Sequence, residues 1–310
     1  MPDAQHTPFL PYCEDVGPDC PVEGSIYGYA PSLHMNAFAG LVFACAMLSQ
    51  LIMGLHKRTW SYLLAVGVGC ALELLGSLGL VAMHYNPYSH QGFQAAVICL
   101  TIAPAFLAAG IYLNLKHLVL CFGPQYSVLR PPSLYTWIFV SSDVVSIVCQ
   151  AIGSAMAAKQ NPKILFDAVR IIKGGMAFQI TTLGVFAGCA AWYFVRVVAH
   201  RRELNPQTKA LRGTWSFRCF LACMALAYVA ILTRCGFRMA EFDDGWRSDI
   251  MTNETFFIAL DTVPCLIAVV AQTILHPGYC LRIPKVDFSD GLVGTSVGAE
   301  MDTYHYYPKV

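Results

Sequence analysis

The side chains with the most evident chemistry are charged groups beside or inside apolar sequence in the C-terminal third of the chain. Arg234, Arg238 and Glu241 stand at helical positions i, i+4 and i+7, so all three would project from one helix face. Asp261 lies five residues into the next apolar run, only about 7 Å below the edge of the bilayer at the usual helical rise. Because charges at this depth must be paired, the spacing predicts an ionic cap that joins two helices.

Three acids lie within apolar runs of the chain. Glu73 is near the middle of the second run, Asp143 is in the first half of the fourth, and Asp261 is near the outer end of the seventh. A carboxylate at the bilayer centre costs on the order of 3 kcal/mol, so each acid should face the interior and be paired or protonated. They would form a polar path or coupling site for a substrate or proton, or else only hydrogen bonds between helices.

Small and polar residues recur at helical spacing along one face of two further runs. They are Asp143, Ser146, Gln150, Gly153 and Ser154 in the fourth run, and Gly175, Gln179 and Thr182 in the fifth. Such a face is typical of a helix that packs inside a bundle. Gln150 and Gln179 therefore join the three acids as candidates for a substrate path.

Two other patterns concern helix packing. Gly184 and Gly188 have the G-x-x-x-G spacing, which favours the close approach of another helix. Pro104 and Pro264 fall inside apolar runs and predict kinks, which in a membrane helix are more often tolerated than used as hinges.

The elements that must position these residues are membrane-spanning helices. The chain has 310 residues, of which 56% are hydrophobic and 13% charged, with a mean hydropathy of +0.52. Seven apolar runs, each about as long as a bilayer-spanning helix requires, lie near 33–55, 61–83, 93–115, 134–158, 174–195, 215–233 and 256–275. We therefore predict an all-α integral membrane protein with a seven-helix bundle at 33–275 and tails at 1–32 and 276–310.

The distribution of basic residues predicts the orientation of the bundle. With the N-terminus outside, the inner segments hold 13 Lys and Arg residues and the outer segments hold 7. The N-terminal tail holds no Lys or Arg and no apolar signal-peptide core, as expected of a tail that is translocated without cleavage. The N-terminus is thus predicted outside, and the C-terminal tail cytoplasmic and disordered.

Covalent modification has two candidate sites. Cys13 and Cys20 lie in the predicted outer tail, where they would either form a disulfide or remain free thiols. Asn253 opens the only N-x-[ST] sequon and is a candidate for glycosylation, although its position next to the seventh run places it close to the bilayer.

Several function classes are disfavoured. The net charge of +1 and the lack of a basic stripe predict no nucleic-acid partner. The chain has no phosphate-binding P-loop, its nine histidines fall in tails, loops or span edges, and its cysteines show no metal-ligand spacing. We expect no enzymatic activity, no cofactor and no metal.

The ordered motifs resemble those of the fungal lipid-translocating exporter (RTA-like) family, seven-span proteins named after a yeast aminocholesterol-resistance protein. The resemblance covers roughly residues 27–278. The matching motifs are Tyr29-x-Pro31 with Asn36; Glu73-x-x-Gly76; Pro104, Ala108, Ala109 and Tyr112; Asp143-x-x-Ser146-x-x-x-Gln150-x-x-Gly153; Gly175-x-x-x-Gln179; and Arg234-x-x-x-Arg238-x-x-Glu241 with Gly245, Glu254, Asp261 and His276-Pro277-Gly278.

The second-span motif departs from the family pattern. In the family the glutamate and glycine are usually followed by a Tyr and an Arg, but this chain has Ser77 and Leu80 at those positions. If that Arg normally pairs with the glutamate, Glu73 must here be protonated or paired elsewhere.

The resemblance implies a plasma-membrane protein that exports or translocates amphipathic lipids such as sphingoid long-chain bases, or that protects against sterol-like and drug-like toxicants. Other members are linked to porphyrin or haem handling. The expected partner is a membrane lipid or amphiphilic small molecule.

Two alternatives remain open, a seven-helix sensor that regulates lipid asymmetry without transport and a purely structural protein. A G-protein-coupled receptor is disfavoured, since neither Asp/Glu-Arg-Tyr nor Asn-Pro-x-x-Tyr is present where that class carries them.

Overall fold

Seven long helices make up most of the protein. The computed structural model describes residues 13, 15–25, 27–122, 124–129, 131–157, 162–200, 214–243, 253–274 and 276–280, and these residues form no β-strand. The long helices are α1 Leu33–Lys57, α2 Trp60–Tyr85, α3 His90–Phe122, α4 Ser133–Ala157, α5 Pro162–Ala199, α6 Trp215–Asp243 and α7 Glu254–Ile274. A short helix, α8 Pro277–Cys280, follows. All seven long helices contain a stretch long and apolar enough to cross a membrane, which confirms the predicted all-α seven-helix membrane protein.

Three of these helices extend well beyond their apolar runs, and α3, predicted at 93–115, continues to Phe122. The fifth run was predicted at 174–195, but α5 begins at Pro162 and includes Arg170 and Lys173, which lie before that run. The sixth run was predicted to end at residue 233, but α6 continues to Asp243. The extra turns of α6 hold the predicted ionic cap, whose charges are buried and paired and therefore do not end the helix.

The helices pack mainly against their neighbours in the chain. α1 with α2, α2 with α3, and α4 with α5 form the most extensive contacts, while α7 packs against α6 and α1. α4 contacts α3 and α5 contacts α6, and both of these interfaces are smaller than the interface between α4 and α5. We call the end of the bundle that carries residues 13–32 and the start of α1 the N-terminal face, and the other end the opposite face.

A segment before α1 that contains a disulfide covers part of the N-terminal face. Cys13 and Cys20 form a disulfide with their Cα atoms 5.9 Å apart. The Tyr88 hydroxyl donates to the carbonyl of Pro21, and the Ser32 N–H donates to a Glu254 carboxylate oxygen. The segment is thus tied to α7 and to the connection between α2 and α3.

Tyr27 anchors the same segment to the bundle. Its ring is 2% exposed and lies edge-on to Phe93 at 5.6 Å and to Phe257 at 6.5 Å between ring centroids. Burial raises the pKa of Tyr27 well above its usual range. The hydroxyl therefore stays neutral beside the charged residues below it.

The opposite face is closed by the residues that follow α7. The backbone N–H of Gly278 donates to Nδ1 of His276 at 3.1 Å, so Nε2 of the neutral ring carries the proton and faces the Thr59 hydroxyl at 3.5 Å. Burial, with a contribution from Lys57, lowers the pKa of His276 to about 4 and favours this neutral form. The predicted C-terminal tail beyond residue 280 lies outside the described residues.

Glycines allow the closest helix contacts, but not at the predicted spacing. A Cβ on Gly79 of α2 would lie 2.7 Å from the Gly92 carbonyl oxygen and 2.9 Å from the Ala96 nitrogen of α3. No described helix makes the close approach that Gly184 and Gly188 permit, because no atom of another element lies within 4 Å of a Cβ built at either position. The face of α5 that packs closely is the one with Gly175, where a Cβ would be 3.0 Å from the Ser146 carbonyl oxygen.

We predict that Gly79→Ala destabilises the protein. The added methyl would press on the α3 backbone, which cannot rotate away, and overpacking of this kind costs about 1–3 kcal/mol. The measurement is the melting temperature of the purified protein in detergent. Gly184→Ala is the matched control, since it makes the same change in open space; equal melting temperatures for both variants would contradict the packing at Gly79.

Candidate functional site

The predicted ionic cap is a buried cluster around Arg234. Its Nε lies 2.9 Å from Oδ1 of Asp261 on α7, and its Nη1 lies 3.2 Å from Oε1 of Glu73 on α2. Arg234 is 0% exposed and the two acids are 1–2% exposed. One guanidinium on α6 therefore connects three helices in a low-dielectric interior, where such pairing is required.

The same guanidinium also reaches α3. Its Nη2 donates to the carbonyl of Leu100 at 2.6 Å. This carbonyl is available because residue 104 is a proline, which has no N–H to donate to the carbonyl four residues earlier. Pro104 thus supplies an acceptor for Arg234, a role different from the predicted kink.

Arg238 extends the cluster toward the N-terminal face. Its Nη1 lies 2.8 Å from Oε2 of Glu241, and its Nε lies 2.8 Å from Oδ1 of Asp261. The guanidinium carbon is 5.3 Å from the centroid of the Phe257 ring, within cation–π range. We call Glu73, Arg234, Arg238, Glu241 and Asp261 the ion cluster.

The ion cluster resolves the departure found in the second-span motif. Glu73 lacks the basic residue that would follow it on α2, but it is paired with Arg234, which lies 161 residues later in the sequence. Its carboxylate therefore has a fixed cationic partner in the described conformation.

Local backbone geometry positions Asp261 in α7. Residues Ile258–Thr262 form a π-helical turn, and Pro264 follows it. Pro264 cannot donate to the carbonyl of Leu260, and a wider turn is one way in which a helix accommodates this loss. Asn253, the sequon residue, is exposed and caps the start of α7 by accepting the Thr255 N–H at 3.0 Å.

Asp143 lies in a different environment from the other acids. It is 3% exposed, and its Oδ2 accepts the Tyr112 hydroxyl of α3 at 3.0 Å. In the part of the chain that the structure describes, its Oδ1 has no hydrogen-bond donor and its carboxyl has no basic partner. It is a buried acid held by a single neutral hydroxyl.

Neutral hydrogen bonds join α4 to α5 next to this acid. The Ser146 hydroxyl donates to the Gly175 carbonyl at 2.7 Å. The Gln150 amide donates to the Ser146 hydroxyl at 2.8 Å and to Oε1 of Gln179 at 3.1 Å. The predicted polar faces of the two helices are therefore in contact with each other.

A crevice lies between the ion cluster and the hydrogen bonds that join α4 to α5, which we call the neutral seam. Its volume is about 20 Å³, and its lining residues are Leu100, Thr101, Pro104, Gln150, Met176, Gln179, Arg234, Cys235 and Arg238. These residues come from α3, α4, α5 and α6. A space of this size holds about one water molecule, so the described conformation is closed to a lipid headgroup.

The structure brings together most of the predicted site residues. Glu73 and Asp261 belong to the ion cluster, while Gln150 and Gln179 line the crevice opposite it. Tyr112 and the Leu100 carbonyl were not predicted as site groups. The Leu100 acceptor could have been inferred from Pro104 four residues later, and Tyr112 could have been inferred from its place in the third-span motif.

We predict that Arg234→Met strongly destabilises the protein. The substitution leaves Glu73 and Asp261 buried without a full countercharge, and removal of one partner from a buried ion pair costs about 3–5 kcal/mol. The yield of folded protein and its melting temperature are the measurements. Arg170→Met, on an exposed part of α5, is the control; a similar yield for both variants would show that the cluster is not a structural joint.

Comparison with known proteins finds yeast relatives of this chain. The chain is 29% identical over 287 residues to the sphingoid long-chain base transporter RSB1 of Saccharomyces cerevisiae, covering 83% of this chain and 75% of that one. It is 27% identical over 248 residues to Protein RTM1 of Saccharomyces cerevisiae, covering 76% and 75%. It is also 28% identical over 209 residues to Protoporphyrin uptake protein 1 of the same yeast, covering 66% and 65%.

No solved structure matches the chain. The family model described as RTA1 like protein matches residues 66–283, which include α3 to α7 and all members of the ion cluster. The match confirms the resemblance found in the sequence motifs. This chain is therefore a member of the RTA1-like family of multi-pass membrane proteins.

Proposed function

We propose that this protein moves amphipathic lipids with a cationic headgroup, such as sphingoid long-chain bases, across the membrane. The similarity to a relative named as a sphingoid long-chain base transporter supports this substrate class. The structural observation that carries the proposal is Asp143, a buried carboxyl with an open acceptor oxygen and no described cationic partner. The positive charge of a lipid ammonium would be the countercharge for the carboxylate of Asp143.

Asp143 suits this role better than the acids of the ion cluster. Glu73 and Asp261 already share the guanidinium of Arg234, so binding an ammonium there would require a buried ion pair to be broken. Asp143 need only retain its bond to the Tyr112 hydroxyl. Gln150, which lines the crevice, stands two helical turns after Asp143 on the same face of α4.

Opening of the crevice requires parts of the bundle to move. We propose that the α4–α5 pair moves away from α3 and α6, because its contacts with them are smaller than those within the pair. Gln150 and Gln179 line the moving side, and their amides would become accessible as the crevice widens. The ion cluster would remain closed and hold α2, α3, α6 and α7 together.

The orientation proposal follows from charge and covalent chemistry. We infer that the N-terminal face lies outside the cell and the C-terminal tail in the cytoplasm, with the plasma membrane as the location. The bias in Lys and Arg and the Cys13–Cys20 disulfide both support this orientation. Export of sphingoid bases or of sterol-like and drug-like toxicants from this membrane, without enzymatic activity, is the corresponding physiological role.

A sensor of amphiphilic lipids is the second candidate. The closed crevice supports it, because a headgroup bound at Asp143 could shift the α4–α5 pair without crossing the bundle. The two candidates differ in whether the purified protein alone moves lipid.

We predict that Asp143→Asn slows lipid movement without loss of folded protein. The experiment reconstitutes the purified protein in phosphatidylcholine liposomes and measures the transbilayer movement of a labelled sphingoid base. Loss of a charge-assisted contact of about 1.5–3 kcal/mol corresponds to a rate at least about tenfold lower. Asp167→Asn, at an exposed position on α5, is the matched control.

The outcomes separate the two candidates. Protein-dependent movement that is unchanged in Asp143→Asn would remove this residue from the path. No movement above protein-free liposomes, from protein shown to be folded, would exclude the transporter and leave the sensor.

We also predict that an epitope tag before residue 1 is bound by antibody on intact cells, whereas a tag after residue 310 is bound only after permeabilisation. The reason is the excess of Lys and Arg on the predicted cytoplasmic side. Each tag serves as the control for the other. The reverse pattern of labelling would overturn the proposed orientation.

A further inference from the structure

A second group of buried polar side chains lies near the opposite face. Asn114 on α3 and Gln272 on α7 are 2% and 4% exposed. Both line a cavity of about 10 Å³, which is otherwise bounded by Phe220, Cys223, Met224 and Ala271. The cavity is just at the lower limit of about 10–15 Å³ that a water molecule needs. We call Asn114, Gln272 and this cavity the amide site.

The amide site has hydrogen-bonding groups that the described residues leave unsatisfied. Oδ1 of Asn114 and both Nε2 and Oε1 of Gln272 have no hydrogen-bond partner there. A buried polar group without a partner costs about 1–3 kcal/mol. One donor and two acceptors therefore border a space that is apolar elsewhere, and they would be best satisfied by a small hydroxylic group.

Two side chains hold the backbone of Gln272 in this position. Its main-chain carbonyl, in the last turn of α7, accepts the Tyr62 hydroxyl at 3.0 Å and the Gln50 amide at 3.4 Å. Its side-chain oxygen lies against α3, where a Cβ on Gly110 would be 2.6 Å away. Gly110 lies one helical turn before Asn114. Because it has no side chain, the Gln272 amide can lie against α3 near the Asn114 amide.

The amide site lies beside the path already proposed. Asn114 and Tyr112 are two residues apart on α3, which turns their side chains by about 200° and separates them by about 3 Å along the axis. The contact to Asp143 and the amide site are thus at similar depths on opposite sides of α3. The crevice and the amide-site cavity also share α3 and α6 as walls, and their centres are about 20 Å apart along either helix.

We propose that the amide site binds a hydroxyl group of a lipid headgroup as it crosses the bundle. The inference rests on the proposed function and adds a second binding position to it. A neutral amide pair with one free donor and two free acceptors matches a hydroxyl, which both donates and accepts, and offers no net charge to an ammonium. Sphingoid bases carry hydroxyls next to the amine, whereas a simple long-chain alkylamine does not. Asp143 would therefore select for the charge and the amide site for the hydroxyls.

The test uses the double variant Asn114→Leu with Gln272→Met. These substitutions keep the approximate shape of both side chains and remove the unsatisfied groups together, a change that can be nearly neutral or stabilising for the fold. The single variants Asn114→Leu and Gln272→Met each remove half of the site and serve if the double variant does not fold. Gln94→Met, at an exposed position on α3, is the matched control.

Two labelled probes are compared in phosphatidylcholine liposomes that contain the purified protein. They are an eighteen-carbon 2-amino-1,3-diol, which is a sphingoid base, and octadecylamine, which has the same chain length and no hydroxyl. We expect the double variant to move the diol at least about fivefold more slowly, equivalent to about 1 kcal/mol, with the alkylamine rate within twofold of the unaltered protein and an unchanged melting temperature.

Every other outcome overturns the inference in an identifiable way. Unchanged rates for both probes would mean that the amides enclose only water. Equal losses for both would mean that the substitutions act on the bundle and not on hydroxyl recognition. No movement of either probe by the unaltered protein would overturn the proposed function itself, and with it this site.

Discussion

The buried guanidinium of Arg234 is the constraint on which the rest of the bundle depends. A cation that is 0% exposed in the apolar interior must have all its donors engaged, and this one engages carboxylates from α2 and α7 and a carbonyl from α3. The ion cluster as a whole has three carboxylates and two guanidiniums, a formal charge of −1 if all are ionised. The charges of the cluster stabilise one another in pairs. Separation of these helices would therefore leave several buried charges without their partners at once.

The seam between α4 and α5 differs in kind from this joint. The side chains on this seam interact through hydrogen bonds between neutral groups, among them Ser146, Gln150 and Gln179. Each such bond contributes about 0.5–1.5 kcal/mol to the free energy of unfolding. The bundle therefore combines an ionic part, held by buried charge pairs, with a polar part that is held by hydrogen bonds between neutral groups. Asp143 belongs to the second part, because its only described partner is the hydroxyl of Tyr112.

Helix α3 serves as the common wall of these regions. Its Leu100 carbonyl completes the ion cluster, Tyr112 holds Asp143, and Asn114 faces the amide site from the other side. Because an α-helix turns by about 100° per residue, a single helix can present such different groups in different directions over a short length. A proline and a glycine, Pro104 and Gly110, make this possible by exposing a carbonyl and by leaving room for Gln272.

The sequence alone determined the number and type of the elements and the family. Run length and hydropathy are local properties that follow from the thickness of the bilayer, and the helical spacing of Arg234, Arg238 and Glu241 was enough to predict that they share a face near Asp261. Pairing between distant helices was decided only by the tertiary structure. Glu73 and Arg234 are 161 residues apart, and nothing in either segment specifies the other. The amide site was likewise invisible, because Asn114 and Gln272 are uncharged residues in separate helices whose unsatisfied atoms appear only once the bundle is packed.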